Sequence, residues 1–352
     1  MANFCTVDVV VKITKSEKNI KRTVESILAQ TYWFCCVNIL FVVSTKNKSI
    51  LDILTYYRNM YGSKVKILFT KKHPDNNVVT SNVFENIESD FFLFVKEDDL
   101  LEPNAIELLV KSILNENSEI VISTSKNGDK NVKKIAIQKI KTLEKYLQTN
   151  YFSTNGLLFK TQYIKSLFKK SDKYMSEFNF LSSCLLNSKK VSFVDKKTYL
   201  VFNKEKDFVI NKANYYVILN FIILEMNNFC NENKWEKFNS LPKIKKTIIA
   251  NCFERCISVI YSLITEIKDI NIGEKRKIYI DYIFIIWNII QKHQVDLEEN
   301  VSPTKKKLLM NSGYKKIINL FSIREINSHE NNDKIVCLFK KNIVKRNKII
   351  VN

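Results

Sequence analysis

With 352 residues, 45% of them apolar and 26% charged, the chain holds enough material for about two domains with packed cores, which excludes disorder and collagen-like repeats. Only five glycines (Gly62, Gly128, Gly156, Gly273 and Gly313) and four prolines are present, and neither GxGxxG nor GxxxxGKS/T occurs, so a glycine-rich phosphate cradle is excluded. Fifty-six basic against thirty-six acidic side chains give +20, a balance that favours nucleic acid, an anionic membrane surface or a phosphate-rich substrate; lysine supplies nearly all of it, and an AT-rich coding bias explains as much of it as a partner does.

Short runs rich in β-branched and aromatic residues predict buried strands at Val7–Ile13, Val37–Val43, Val65–Phe69, Phe91–Val95 and Ile120–Ser123. Helical spacing of apolar residues predicts helices over Glu17–Gln30, Ser49–Met60 and Pro103–Leu114, the last with Pro103 at its first position. Strand alternating with helix implies parallel pairing by right-handed crossovers, and ligands of such sheets bind beyond the carboxyl ends of the strands. The segments to search are therefore Thr14–Ser16, Ser44–Lys48, Thr70–Asn77 and Lys96–Leu101. Further along, Tyr215–Phe229, Lys243–Glu266, Lys275–His293 and Lys305–Phe321 read as helices, and Ile335–Phe339 as a strand. The expected fold class is α/β with a mostly parallel sheet over 1–205 and a helical C-terminal domain over 206–352, with the boundary inside 204–212.

The chemistry concentrates where the strand Phe91–Val95 runs into Lys96-Glu97-Asp98-Asp99 and then into a helix. Carboxylates clustered at the end of a parallel strand can hold a divalent cation, and that cation can neutralise a diphosphate leaving group. Equally, Asp99 and Glu102 can simply favour the positive end of the following helix.

Val7-Asp-Val-Val-Val11, Thr23-Val-Glu-Ser-Ile-Leu-Ala-Gln-Thr-Tyr32 and Asp98-Asp99-x-Leu-x-Pro-x-Ala105 follow one another along the chain. In that order they resemble the first strand, the helix ending in SILxQTY, and the acidic motif with its helix of the family 2 glycosyltransferases of GT-A fold. Thr80–Ile87 resembles the segment that carries an Asn before that motif, which puts Asn82 at the donor. Asn155–Phe159, Met175–Leu181 and Val191–Tyr199 resemble the acceptor side and the closing strand. The helical remainder resembles the appended domains of bacterial cell-surface polymer transferases, the wall teichoic acid kind above all.

The resemblance implies a nucleotide-sugar donor, a UDP-sugar, and inverting transfer to a glycan or polymer acceptor. By that resemblance Asp98 is the expected metal ligand with Asp99 beside it, Lys96 stands where the first Asp of the DxD motif belongs, and Ser44 and Thr45 lie in the nucleotide loop. Ordinary turn chemistry explains Ser44 and Thr45 equally well. The chain departs from the family pattern at Val42-Val43, where an Asp pair usually follows the second strand. It departs again at Lys12-Ile-Thr-Lys15, which replaces the Pro-Thr-x-Asn turn, and at Glu177-Phe178, which replaces the acidic pair of the acceptor side. Two readings follow. In one, Lys96 supplies positive charge at the diphosphate, with a Mn²⁺ or Mg²⁺ ion on Asp98 that the lysine could make dispensable, while Glu177 is the catalytic base. In the other, the fold persists as a pseudo-glycosyltransferase that does not turn the nucleotide over, and its basic helical half binds a protein partner or an anionic polymer, as a binding or scaffold partner in a surface-glycan pathway.

The eight cysteines contain no CxxC pair and are expected to be reduced, mostly buried thiols; Cys252 and Cys256, one helical turn apart, read as core. His73, His293 and His329 have no metalloprotease spacing, and His73 reads as a solvated loop residue. The basic runs Lys305–Lys307, Lys315-Lys316, Lys340-Lys341 and Lys345-Arg346 could meet acidic headgroups or form a solvated face. No nucleic-acid-binding module accompanies the charge. With no secretion signal and no apolar run long enough to span a bilayer, the expected location is the cytoplasm, peripheral at the inner face of the membrane.

Overall fold

The computed structural model describes residues 5–14, 19–70, 78–127, 143, 146, 153–168, 174–201, 215–233, 241–267 and 270–293. The expected boundary at 204–212, the helix Lys305–Phe321, the strand Ile335–Phe339, the C-terminal basic runs, His73, His329 and Cys337 lie outside the described residues.

Ten strands are described. β1 (Val7–Ile13), β2 (Val37–Val43) and β3 (Val65–Phe69) have the expected bounds, and β5 (Phe91–Lys96) and β7 (Ile120–Asn127) run slightly past theirs. β10 (Val191–Val201) closes the sheet, while β6 (Leu100–Leu101) and β8 (Leu158–Lys160) are short additions. The main sheet has the order β3-β2-β1-β5-β8-β7-β10-β6. β1 pairs parallel with β2 and β5, β2 with β3, and β7 with β10; β8 and β6 pair antiparallel with their neighbours. A separate ribbon pairs β4 (Val78–Thr80) antiparallel with β9 (Tyr174–Ser176). The alternation of strands and helices carried the parallel part of this pattern. The segments β4, β6, β8 and β9 hold two or three residues each, too few to show a period.

Helices cover both faces. α1 (Ile20–Leu28), α2 (Lys48–Tyr61) and α4 (Ala105–Glu116) pack on one face, where Val7, Val9, Val11 and Ile13 of β1 share a core with Ile20, Val24, Ile50, Leu54, Ile106 and Leu109. The helix at 105 starts later than expected. Pro103 lies in the preceding turn and Asn104 is its N-cap residue, so the proline ends the acidic loop instead of opening the helix. On the other face lie α3 (Ser81–Glu85), α5 (Thr161–Leu167) and α6 (Glu177–Asn187). There Val10 joins Phe84, Phe92, Phe94, Phe159 and Phe180, with the Phe92–Phe159 and Phe84–Phe180 ring centroids 5.3 Å apart. The period-2 alternation of the strands thus feeds two cores, one per face.

The second core continues without a break into α7 (Tyr215–Glu232), α8 (Lys243–Glu266) and α9 (Ile272–Lys292), through Ile218, Leu219, Phe229, Ile249, Phe253 and Ile286. Cys252 and Cys256 are buried in it, as expected for core thiols, whereas in the short 3₁₀ turn before β2 Cys36 is buried and Cys35 exposed. Among the described residues no helix is long and apolar enough to cross a membrane.

One glycine is required by space. Gly156 has φ +76°, and a Cβ there would come within 2.8 Å of three ring-side atoms of Tyr199, which is fully buried. Both the backbone strain and the clash oppose any side chain. Gly156→Ala is expected to cost about 2–4 kcal/mol and to lower the melting temperature measurably; a melting curve superimposable on wild type would contradict this account of the contact.

Candidate active site

The carboxyl ends of β1, β2 and β5 lie side by side, because Ile13 pairs with Val43 and Lys12 pairs with both Val42 and Lys96. The acidic turn leaves β5 at this edge, and its three carboxylates are each tied to a different element. Glu97 is buried and accepts from the Thr14 backbone amide at 2.7 Å and the Thr14 hydroxyl at 2.9 Å, which fixes the turn to the exit of β1. Asp98, 7% exposed, accepts from the Asn19 side-chain amide at 3.2 Å, at the start of α1. Asp99 accepts from the Tyr199 hydroxyl of β10 at 2.9 Å, and the same hydroxyl accepts from the Lys96 amide at 3.1 Å. The Thr23 hydroxyl donates to the Glu97 carbonyl at 2.8 Å and completes the clamp. Gly156 therefore acts on the site at one remove, by leaving room for the tyrosine that holds both ends of the turn.

These bonds divide the carboxylates by role. Glu97 spends both oxygens on Thr14, and Asp99 is buried against Tyr199. A divalent cation bridging a diphosphate needs only one or two carboxylates, with phosphate oxygens and water completing its shell. Asp98 offers the hard carboxylate oxygens that such an ion takes. Among the described residues no three His, Cys, Asp or Glu side chains form a metal cage of their own.

Lys12 and Lys96 occupy paired positions on adjacent strands. Strand alternation sends both toward the face of Val10, Phe92 and Phe94, and the Lys12 ammonium lies 4.9 Å from the Phe94 ring centroid. Across that face stands Glu177, the first residue of α6. Its Oε1 accepts from the Thr154 amide and hydroxyl, both at 2.6 Å, and from the Ser153 hydroxyl at 2.9 Å. Burial pushes the Glu177 carboxyl up, but the charges of Lys12 and Lys96 and the two Thr154 bonds outweigh it and hold the group below the usual carboxylate range. The charges of two lysines and the bonds of a serine–threonine turn thus favour the charged form of Glu177.

The remaining expected residues sit at the rim. Ser44 donates from its amide to the Ile13 carbonyl at 3.1 Å and from its hydroxyl to the same oxygen at 3.3 Å, and the Thr45 hydroxyl accepts from the Asn47 amide at 3.2 Å. Both make the turn between β2 and α2 at the same strand edge as Asp98. Asn82 is exposed on α3, just past the β4–β9 ribbon, and its Oδ1 accepts from Asn86 at 3.2 Å. The structure thus brings Lys96, Asp98, Asp99, Ser44 and Thr45 to one edge and Glu177 to the adjoining face, with Asn82 tied to its own helix. Thr14 falls in the Thr14–Ser16 segment singled out from the sequence, whereas Lys12, Asn19, Thr154 and Tyr199 were not expected as working parts of the site. Lys12 carried a signal, a lone cation closing an apolar strand, while the Tyr199 contact spans a hundred residues and left none.

Residues 8–175 match the family model described as Glycosyl transferase family 2. The structure of S. aureus TarS 1–349 in complex with UDP-GlcNAc is 18% identical, with a TM-score of 0.66, and the match covers 92% of this chain and 91% of that one. The same protein in complex with UDP matches with a TM-score of 0.64 at 18% identity over the same shares. S. aureus TarS in a longer form matches with a TM-score of 0.60 at 16% identity, over 90% of this chain and 53% of that one. At these identities the likeness establishes the fold, the curled and mostly parallel GT-A sheet with helices following it. No curated protein matches by sequence.

Proposed function

We propose that this chain, a member of glycosyl transferase family 2 through residues 8–175, moves a sugar from a UDP-sugar to a hydroxyl group of a cell-surface polymer or glycan, with inversion at the anomeric carbon. The observation that carries the reading is the convergence of three parallel strand ends on the clamped turn Lys96–Asp99, with Glu177 on the adjoining face. The uridine complexes of TarS, which shares the fold, support the choice of nucleotide.

In this reading Ser44 and Thr45 line the nucleoside end and Lys96 meets the diphosphate as a point charge. Asp98 would hold a Mn²⁺ or Mg²⁺ ion, which when bound neutralises charge on the leaving diphosphate. Glu177 takes the proton of the acceptor hydroxyl as its oxygen bonds to the anomeric carbon, and the nucleoside diphosphate departs with the electrons of the broken bond. The helices α7, α8 and α9 help to present the acceptor, and Asn82 lies on α3, directly after β4.

One observation favours a second reading. A carboxylate that accepts four hydrogen bonds on one oxygen and is held down by two ammonium groups is a weak base, which suits a donor-binding protein that does not turn over. Incubation with a panel of UDP-sugars and glycan acceptors, with Mn²⁺ and with EDTA, separates the two. Acceptor-dependent release of UDP is expected for the transferase. Donor binding without release would leave the second reading, and failure of every UDP-sugar to bind would remove both.

A further inference from the structure

The helical region reaches the acceptor side through one buried acid. Glu225 of α7 is 6% exposed, and its Oε2 accepts from the Ser176 backbone amide at 2.8 Å and from the Asn179 side-chain amide at 3.1 Å. Ser176 is the N-cap residue of α6, its hydroxyl accepting from the Asn179 amide at 3.2 Å, and Glu177 is the next residue. At the far end of α6 the same region grips again. Just past α7, the Asn233 side chain donates to the Ser183 hydroxyl at 3.3 Å and accepts from Asn187 at 2.8 Å. Between these anchors lies the shared apolar core. A buried carboxylate is expensive unless hydrogen bonds compensate, so a residue serving only to fill space here would be apolar. Glu225 instead places an anion against the amide ends of the helix that carries the candidate base.

We infer that Glu225 is a positioning residue: the helical region, through this carboxylate, fixes the first turn of α6 and thereby keeps Glu177 aimed at Thr154 and the lysine-bearing strand ends. The effect on sugar transfer rests on the function proposed above; the effect on the Glu177–Thr154 contact does not. Because both bonds converge on one oxygen, a glutamine can place its carbonyl oxygen there and keep both.

Hydrogen–deuterium exchange of the full chain tests this in wild type, Glu225→Ala and Glu225→Gln. In Glu225→Ala the amides of 174–179 are expected to exchange at least roughly tenfold faster, since two hydrogen bonds to a carboxylate are lost and one alone is worth about that factor. The Thr154 amide, which donates to Glu177, is expected to follow, and Glu225→Gln to restore both. In the transfer assay kcat falls by a similar factor in Glu225→Ala with donor KM unchanged, and the glutamine variant recovers it. Wild-type exchange at Thr154 in Glu225→Ala would overturn the inference, even if the melting temperature dropped. Should that variant fail to fold, Asn179→Ala removes one of the two bonds and must speed exchange at Thr154 by a smaller factor; no change there overturns the inference as well. A wild type without transferase activity would defeat the proposed function, while the exchange result would still decide the role of Glu225.

Discussion

Asp98→Ala is expected to lower sugar transfer by a hundredfold or more, roughly the loss seen when one electrostatic stabiliser of a leaving group is removed, with little loss of stability. The asymmetry follows from the contacts: Glu97 and Asp99 bind the turn to β1 and β10, whereas Asp98 accepts from the Asn19 side chain at 3.2 Å. Asp99→Ala should show the opposite balance, since it leaves the buried Tyr199 hydroxyl without its acceptor; a loss of about 1–3 kcal/mol is expected. Measuring the melting temperature and initial rate of both variants checks the division of labour. Equal rates for Asp98→Ala and wild type would contradict it.

The second large effect falls on Glu177. Removing its side chain leaves the Thr154 amide and hydroxyl and the Ser153 hydroxyl without their acceptor, and leaves Lys12 and Lys96 without the carboxylate that faces them. Breaking a buried, hydrogen-bonded charge cluster on one side costs about 3–5 kcal/mol, and that loss is expected for Glu177→Ala in chemical denaturation. Glu177→Gln keeps an acceptor for Thr154 and is expected to be the more stable of the two, yet to lose transfer as completely if the carboxylate takes the proton. A fully active Glu177→Gln would remove the base assignment and leave the structural one.

The same group sets a pH dependence. Because the folded carboxyl lies below its unfolded range, its stabilising contribution is complete above the unfolded pKa of about 4.3. It is lost as the pH falls through the lower folded value. The acid limb of the rate profile is accordingly expected below the ordinary carboxylate range, with no inflection from Glu177 between pH 5 and 8. A limb centred near pH 6 would show that Lys12 and Lys96 do not act on Glu177 as described.

Much of the architecture was legible in the sequence because the strands that build it are long, apolar and separated by periodic helices. β1, β2 and β3 have the bounds that their valine-rich runs imply, and α8 spans the same residues as its apolar spacing. Pro103 misled because proline suits a loop before a helix as well as a first helical turn. The acidic turn was legible as a cluster, but the partition of its carboxylates was not. Nothing within Lys96–Asp99 distinguishes an Asp that meets Tyr199 from one that meets Asn19, since those partners arrive from residues 199 and 19. Glu177 drew attention as a surviving acid, whereas its ties to Thr154, Lys12 and Lys96 depend on how α6 is seated, and Glu225 in a distant helix helps to seat it.

The central claim is that a uridine diphosphate group settles at the edge formed by β1, β2 and the turn after β5. Calorimetric titration of UDP and of uridine into wild type and Asp98→Ala, each with Mn²⁺ and with EDTA, tests it most directly. The account predicts that wild type binds UDP far more tightly than uridine, and that Asp98→Ala loses that difference while still binding uridine. Wild type that binds neither, or an Asp98→Ala variant that binds UDP as wild type does, would contradict it.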